Sequence, residues 1–248
     1  MGILQLERAK EGHKFLNQGF NYFKMAVNPI EYRIYEGREY RQLMPKLIED
    51  GFTPISTKDG LSLMLCALRT GISEHIERLV DNYIDTGDGF VPFEDRLIVV
   101  PSARQLRRAN ASTHLVWGKI PLIPDEVPDL GGITLSRHDL ERDGVNFDLT
   151  KAQASNHSGW LARAHGDTDL LNEFVEAAYS YAKKKFGYDT TMSFYLPEKT
   201  ETLLMRAAFI SYLAWRFKPG DYGILTNPGR IVGIRNPLPA RLESLVHV

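Results

Sequence analysis

Apolar residues recur in steps of three and four along several long stretches of the chain, and alternate with polar ones along shorter stretches. Leu6, Ala9, His13, Leu16, Phe20, Phe23 and Val27 form one such stripe and predict a helix over 3–27, which Pro29 ends. "EYRIYEGREYR" (31–41) reads as a short strand, a turn at Gly37 and a helix running through about Glu49 to Gly51. Ser56 or Thr57 caps a helix that carries "LSLMLCALR" to Gly71, and Ser73 caps the next, "ISEHIERLVDNYI". "GFVPF" and "RLIVV", separated by Glu94 and Asp95, predict a hairpin whose first strand Pro92 places at a sheet edge. "DTGDG" (85–89) then falls in a loop between a helix end and that strand, with Asp85 and Asp88 as turn residues.

A helix is expected from about Ser102 through "ARQLRRANAS", then a strand in "LVWGKIPLI". In the second half "GITLSRHDL" alternates as a strand, and "TKAQASNHSGWLARAHG" reads as one or two short helices. "DTDLLNEFVEAAYSYAKKKFG" is the strongest helix, with acids at its start, lysines at its end and Gly187 as its stop. "TMSFYLP" reads as a strand, "TETLLMRAAFISYLAWRFKPG" as a second long helix, and "YGILTNPGRIVGIRNP" as a hairpin turning at "NPG". The irregular alternation predicts an α+β fold, helix-rich, with several short strands and at least two β-hairpins. "PLIPDEVPDLGG" (121–132) holds three prolines and two glycines. It either separates two packed subdomains, a helical and hairpin half at 1–120 and an α+β half at 133–248, or is a long loop of a single domain.

Composition agrees with a globular protein: 248 residues, 43% hydrophobic and 25% charged, enough to bury a core without a disulfide or structural metal. Cys66 is the sole cysteine and sits in an apolar run, which suits a packed thiol better than a nucleophile. No apolar run approaches the roughly 20 residues that span a bilayer, and the N-terminus turns charged by Glu7. These features predict a soluble cytoplasmic protein with no membrane partner. Net charge is −1, but unevenly spread. From Glu49 to Asp95 ten acids face three bases, whereas Arg96 to Ile120 holds five bases and no acid, and Leu204 to Arg241 six bases and one acid.

Phosphate-binding glycine loops, zinc-protease, thioredoxin-like and serine-hydrolase signatures are all missing from the sequence. Four weaker groupings remain. Asp85 and Asp88, with Asp139 and Glu141 of "RHDLERD", are hard oxygen ligands that could gather a divalent cation, if 137–143 is a strand with its acids on one face. The EF-hand spacing fails, because the third and fifth positions from Asp85 are glycines. His157 and His165 lie two helical turns apart, too far for one metal unless the helix bends. Arg104, Arg107, Arg108 and Lys119, with Trp117 among them, suit phosphates and stacked bases. The favoured reading is a nucleic-acid-associated binding protein using the two basic segments. The alternatives are a metal-assisted phosphodiester hydrolase with a divalent cation at those four acids, and an interaction module that forms a homo-oligomer through 3–27.

Overall fold

Both faces of one sheet are buried, and that arrangement organises the chain. The computed structural model describes residues 21–23, 30–127, 130–198, 200–210 and 225–235. Strand β1 (Asn21–Phe23) leads to the ten-residue β2 (Ile30–Glu39), helix α1 (Tyr40–Glu49), a two-residue strand β3 (Thr53–Pro54) and helix α2 (Thr57–Thr70). Helix α3 (Ser73–His75) runs into a π turn, followed by the hairpin of β4 (Ile84–Phe93) and β5 (Arg96–Val100) and the short helix α4 (Arg104–Arg107). After β6 (Ile120–Pro121) and β7 (Ile133–Ser136) come helix α5 (Arg137–Asp143), β8 (Leu149–Thr150), α6 (Lys151–Ser155), α7 (Ser158–Arg163) and the long α8 (Thr168–Phe186). Strands β9 (Thr190–Thr191), β10 (Leu204–Ile210) and β11 (Pro228–Ile234) complete the described elements.

The nine-stranded sheet has the central order β1-β2-β11-β4-β10-β6, with β5 and β7 continuing from β4. Its pleat sorts side chains by parity. Tyr32, Phe90, Leu97, Val99, Ala208, Ile210 and Val232 pack against α2, α7 and α8, whereas Tyr35, Val91, Ile98, Val100, Met205, Ala207 and Ile231 pack with α1 and α4. The fold is α+β, as the pattern predicts. Strands from both sides of residues 121–132 interleave, since β10 lies between β4 and β6. That stretch therefore connects parts of one sheet.

Helix ends follow their cap residues closely. Ser56 and Asp59 form a capping box at the start of α2, and Gly71 closes it in the left-handed conformation. Asp167 caps α8 and Gly187 ends it. Other expectations give way. "DTGDG" is the buried start of central strand β4 and not a loop. Pro92 does not put β4 at the margin of the sheet, where β4 is central, but β10 pairs with β4 only as far as Phe90, so the proline sits where that flank of the strand has no ladder to need its missing N–H. "RHDLERD" is helix α5, capped by Ser136, rather than a strand. Leu204–Ile210, expected in a helix, is a strand whose seven residues are all buried, because both faces of the sheet are covered. Strand β11 pairs with β2, β3 and β4; most of the first arm of the hairpin expected in 222–237 lies outside the described residues. The helix predicted over 3–27, with its oligomer seam, lies mostly outside the described residues. Where it enters them, Asn21–Phe23 is a strand paired with β2.

Gly159 shows how tightly the α7 side of the sheet is packed. A Cβ there would stand 2.4 Å from the fully buried ring of Phe194. Gly159→Ala is expected to destabilise the fold by about 1–3 kcal/mol through overpacking. Thermal melts check this; an unchanged melting temperature would mean that Phe194 swings aside freely.

Candidate nucleic-acid interface

The four acids proposed as metal ligands do not come together. Asp88 is fully buried on the α2 and α7 side, where its Oδ2 accepts from the Thr57 N–H and hydroxyl and from His165 Nε2, and its Oδ1 accepts from the Ser102 N–H. Asp85 accepts the Arg230 N–H on β11 instead, beside Gly229 and Tyr40. Burial pushes its carboxyl up to about 7, only partly offset by that N–H. Asp139 and Glu141 sit on α5 and pair within the helix, Asp139 with Arg142 at 2.9 Å and Glu141 with Arg137 at 3.0 Å. Among the described residues no group of three or more histidines, cysteines or acids is placed to hold a metal ion. Strand pleat and helix geometry explain the dispersal: Asp85 and Asp88 contact different elements, and the helical 137–143 does not align its acids as a strand would.

The histidines are absorbed by structure. His157 is fully buried, caps α7 by accepting the Gly159 N–H on Nδ1, and bonds the Gly144 carbonyl through Nε2. Burial holds it below the usual histidine range. His165 is tied to Asp88 at 2.9 Å. Cys66 is a packed thiol whose pKa burial pushes up. Sequence patterns carry no sign of what lies beside Asp88. The guanidinium of Arg163 is buried among Phe90, Trp160, Phe194 and Phe209, with ring centroids 4.8–6.0 Å from Cζ. Its Nη1 donates to the Phe209 carbonyl, its Nε has no partner, and burial lowers its pKa to about 9 against the pull of Asp88.

The first basic segment behaves differently. Arg104 and Arg107 on α4 and Arg108 at its end are exposed, with no acid paired to them among the described residues. Leu106 between them and Ala109 just after them are buried in the cluster that holds Tyr40, Leu43 and Met44 of α1, so the arginines stand on an anchored strip. Beyond it, Asn110 forms a tight turn, and Val116 and Lys119 exchange backbone hydrogen bonds of 2.9 and 3.0 Å around Trp117 and Gly118. The expected strand "LVWGKIPLI" is thus a two-residue hairpin followed by β6. Trp117 and Gly118 both have positive φ, 50° and 71°, the pattern of a type I′ turn. For a bulky residue that backbone costs roughly 1–2 kcal/mol. Trp117 nonetheless stays 72% exposed. The Gly118 carbonyl accepts from Leu225 N–H, the Leu225 carbonyl accepts from Arg41 N–H, and Arg41 Nη1 reaches the Ala111 carbonyl. The loop is thereby fixed to the start of α1. Lys119 is half-buried in the same turn.

Among the described residues, the second basic segment does not add to this surface. Arg206 is buried on β10, Arg230 pairs with Glu36 and donates to the Arg78 carbonyl, and Arg235 pairs with Glu31. Arg216, Lys218 and Arg241 lie outside the described residues. No described helix is long and apolar enough to cross a membrane.

No family model matches the chain, and no curated protein matches it. Its architecture is similar to a solved structure described as "Accommodation of massive sequence variation in Nanoarchaeota by the C-type lectin fold". The TM-score is 0.63 at 15% identity, over 86% of this chain and all of that one. At that identity the likeness establishes a shared C-type lectin fold and nothing further.

Proposed function

We propose that this chain is a binding protein that recognises nucleic acid through residues 104–119. One observation carries the reading: Arg104, Arg107 and Arg108 are exposed on an anchored strip, with no acid paired to them among the described residues. Among the described residues, ion pairs elsewhere absorb many charged side chains, such as Lys58 with Asp167 and Arg69 with Glu173. Arginines left over in a segment without acids suit a phosphate backbone. A fold described, in its structural neighbour, as accommodating massive sequence variation fits a scaffold that places recognition on its surface and stability in its core. The dispersed acids lend no support to the metal-assisted hydrolase.

A gel-shift series with DNA and RNA at low salt tests the reading. Wild type is expected to bind, with an affinity that falls steeply as salt rises. The Arg104→Ala, Arg107→Ala, Arg108→Ala triple variant should bind weakly, with a salt slope shallower by about three units, close to one for each arginine removed from a phosphate. A wild type that shifts no nucleic acid at low salt ends the proposal.

A further inference from the structure

A tryptophan at the apex of an exposed type I′ turn needs a reason. Such turns favour Asn-Gly or Asp-Gly, because both central residues take left-handed backbone. Here the first is Trp117, which gains no burial in return at 72% exposure. The backbone that carries the ring is held: the hairpin closes with two backbone hydrogen bonds, and Leu225 clamps the Gly118 carbonyl at 2.8 Å. A solvent-facing aromatic ring on an anchored turn, in the same segment as three exposed arginines, combines the two elements that single strands require, a stacking platform and phosphate contacts. In a duplex the base faces are already stacked on one another. Duplex reading by a helix in the major groove calls for a protruding helix, whereas α4 has four residues and packs by Leu106 into the core.

We infer that the nucleic acid taken by this surface is single-stranded, with Trp117 stacking on one base and Arg104, Arg107 and Arg108 following the phosphates. The inference rests on the nucleic-acid reading above. Both DNA and RNA strands offer the required chemistry, since every base presents a π face.

The test is fluorescence anisotropy at low salt with labelled single strands of DNA and of RNA and the matching DNA duplex. Wild type should bind at least one kind of strand more tightly than the duplex. Trp117→Ala should weaken strand binding by about fivefold to 150-fold, the worth of one stacked base. Trp117→Phe should retain most of the affinity, because the ring remains. Trp117→Asn supplies the control for folding. It should lose strand affinity like the alanine variant, yet melt about 2–4 °C higher than wild type, because asparagine suits the turn. Loss of binding by a protein that has become more stable cannot be ascribed to unfolding. A strand of one chemistry bound alone, in a Trp117-dependent way, supports the inference and identifies the source. Duplex bound as tightly as single strands overturns it. So does a Trp117→Ala protein with unchanged strand affinity while the triple arginine variant loses it; the nucleic-acid reading would survive both results. A wild type that binds none of the three probes overturns both together.

Discussion

Asp88→Ala is expected to destabilise the protein by about 3–5 kcal/mol, the cost of breaking a buried charged network by removing one partner. That corresponds to a drop of roughly 6–20 °C in melting temperature for a chain of this size. The side chain is fully buried and accepts four hydrogen bonds, from the Thr57 N–H and hydroxyl, the Ser102 N–H and His165 Nε2. Through these it ties the first turn of α2, the segment after β5 and the end of α7 to the central strand. Removing it strands the donors of the fully buried Thr57 and leaves Arg163 without the charge that offsets its burial. The second consequence can be isolated. Arg163→Met should rescue part of the loss in the Asp88→Ala background, because a thioether fits among four aromatic rings without needing a counter-charge. A double-mutant cycle on thermal or denaturant unfolding measures that coupling. A single Asp88→Ala variant that melts within a degree or two of wild type would show that water replaces the carboxylate without penalty.

Asp88 also shows where sequence reading succeeds and where it stops. Local rules are legible. Ser56, Gly71 and Gly187 mark true helix ends because capping acts over one helical turn. The β4–β5 hairpin is visible because its strands are adjacent in the chain and its turn at Glu94 and Asp95 is polar. Long-range structure is what escapes. An aspartate flanked by two glycines reads as a turn when only neighbours are considered. Here Gly87 and Gly89 leave room for distant parts of the sequence, since a Cβ at Gly87 would stand 3.3 Å from Pro54 and one at Gly89 2.9 Å from the Met205 sulfur. The aspartates are sustained in a central strand by partners such as Thr57, His165 and Arg230, up to 145 residues away. Likewise Leu204–Ile210 matches a helix because its residues are apolar apart from Arg206, and a strand buried on both faces has no alternation to betray it. At the candidate interface the arginines are legible by composition. The exposed turn that displays Trp117 is not, because "LVWGK" is rich in strand-forming residues and "WG" is not an ordinary turn signal.

Asp85→Asn should make the protein more stable than wild type at pH 8, and the gain should disappear toward pH 4. The carboxyl is buried at the junction of β4 and β11, facing the Arg230 N–H on β11 and the buried Tyr40 of α1, with Asp88 farther along its own strand. Burial raises it from an ordinary 3.8 to about 7. The folded state thus holds this proton more tightly than the unfolded state. Its contribution to stability is complete below about pH 4, falls as pH rises through the interval between the two values, and is gone above about 7, where a charge must be buried. At roughly 1.4 kcal/mol per pH unit, the swing is of the order of 4 kcal/mol. Asparagine keeps an oxygen to accept the Arg230 N–H, nearly the same volume and no titration, so it retains the low-pH packing at every pH. His75 and His157 act in the opposite direction, since burial holds both below the usual histidine range and stability from them is lost on acidification. Wild type and variant share those histidines, so they cancel in the difference between the two stability curves. Urea unfolding of both proteins from pH 4 to pH 8 reads that difference directly. It should grow with pH in favour of asparagine and level off once Asp85 is ionised; two parallel curves would mean that Asp85 is already charged in the folded state at low pH, with a counter-charge or water at its free oxygen.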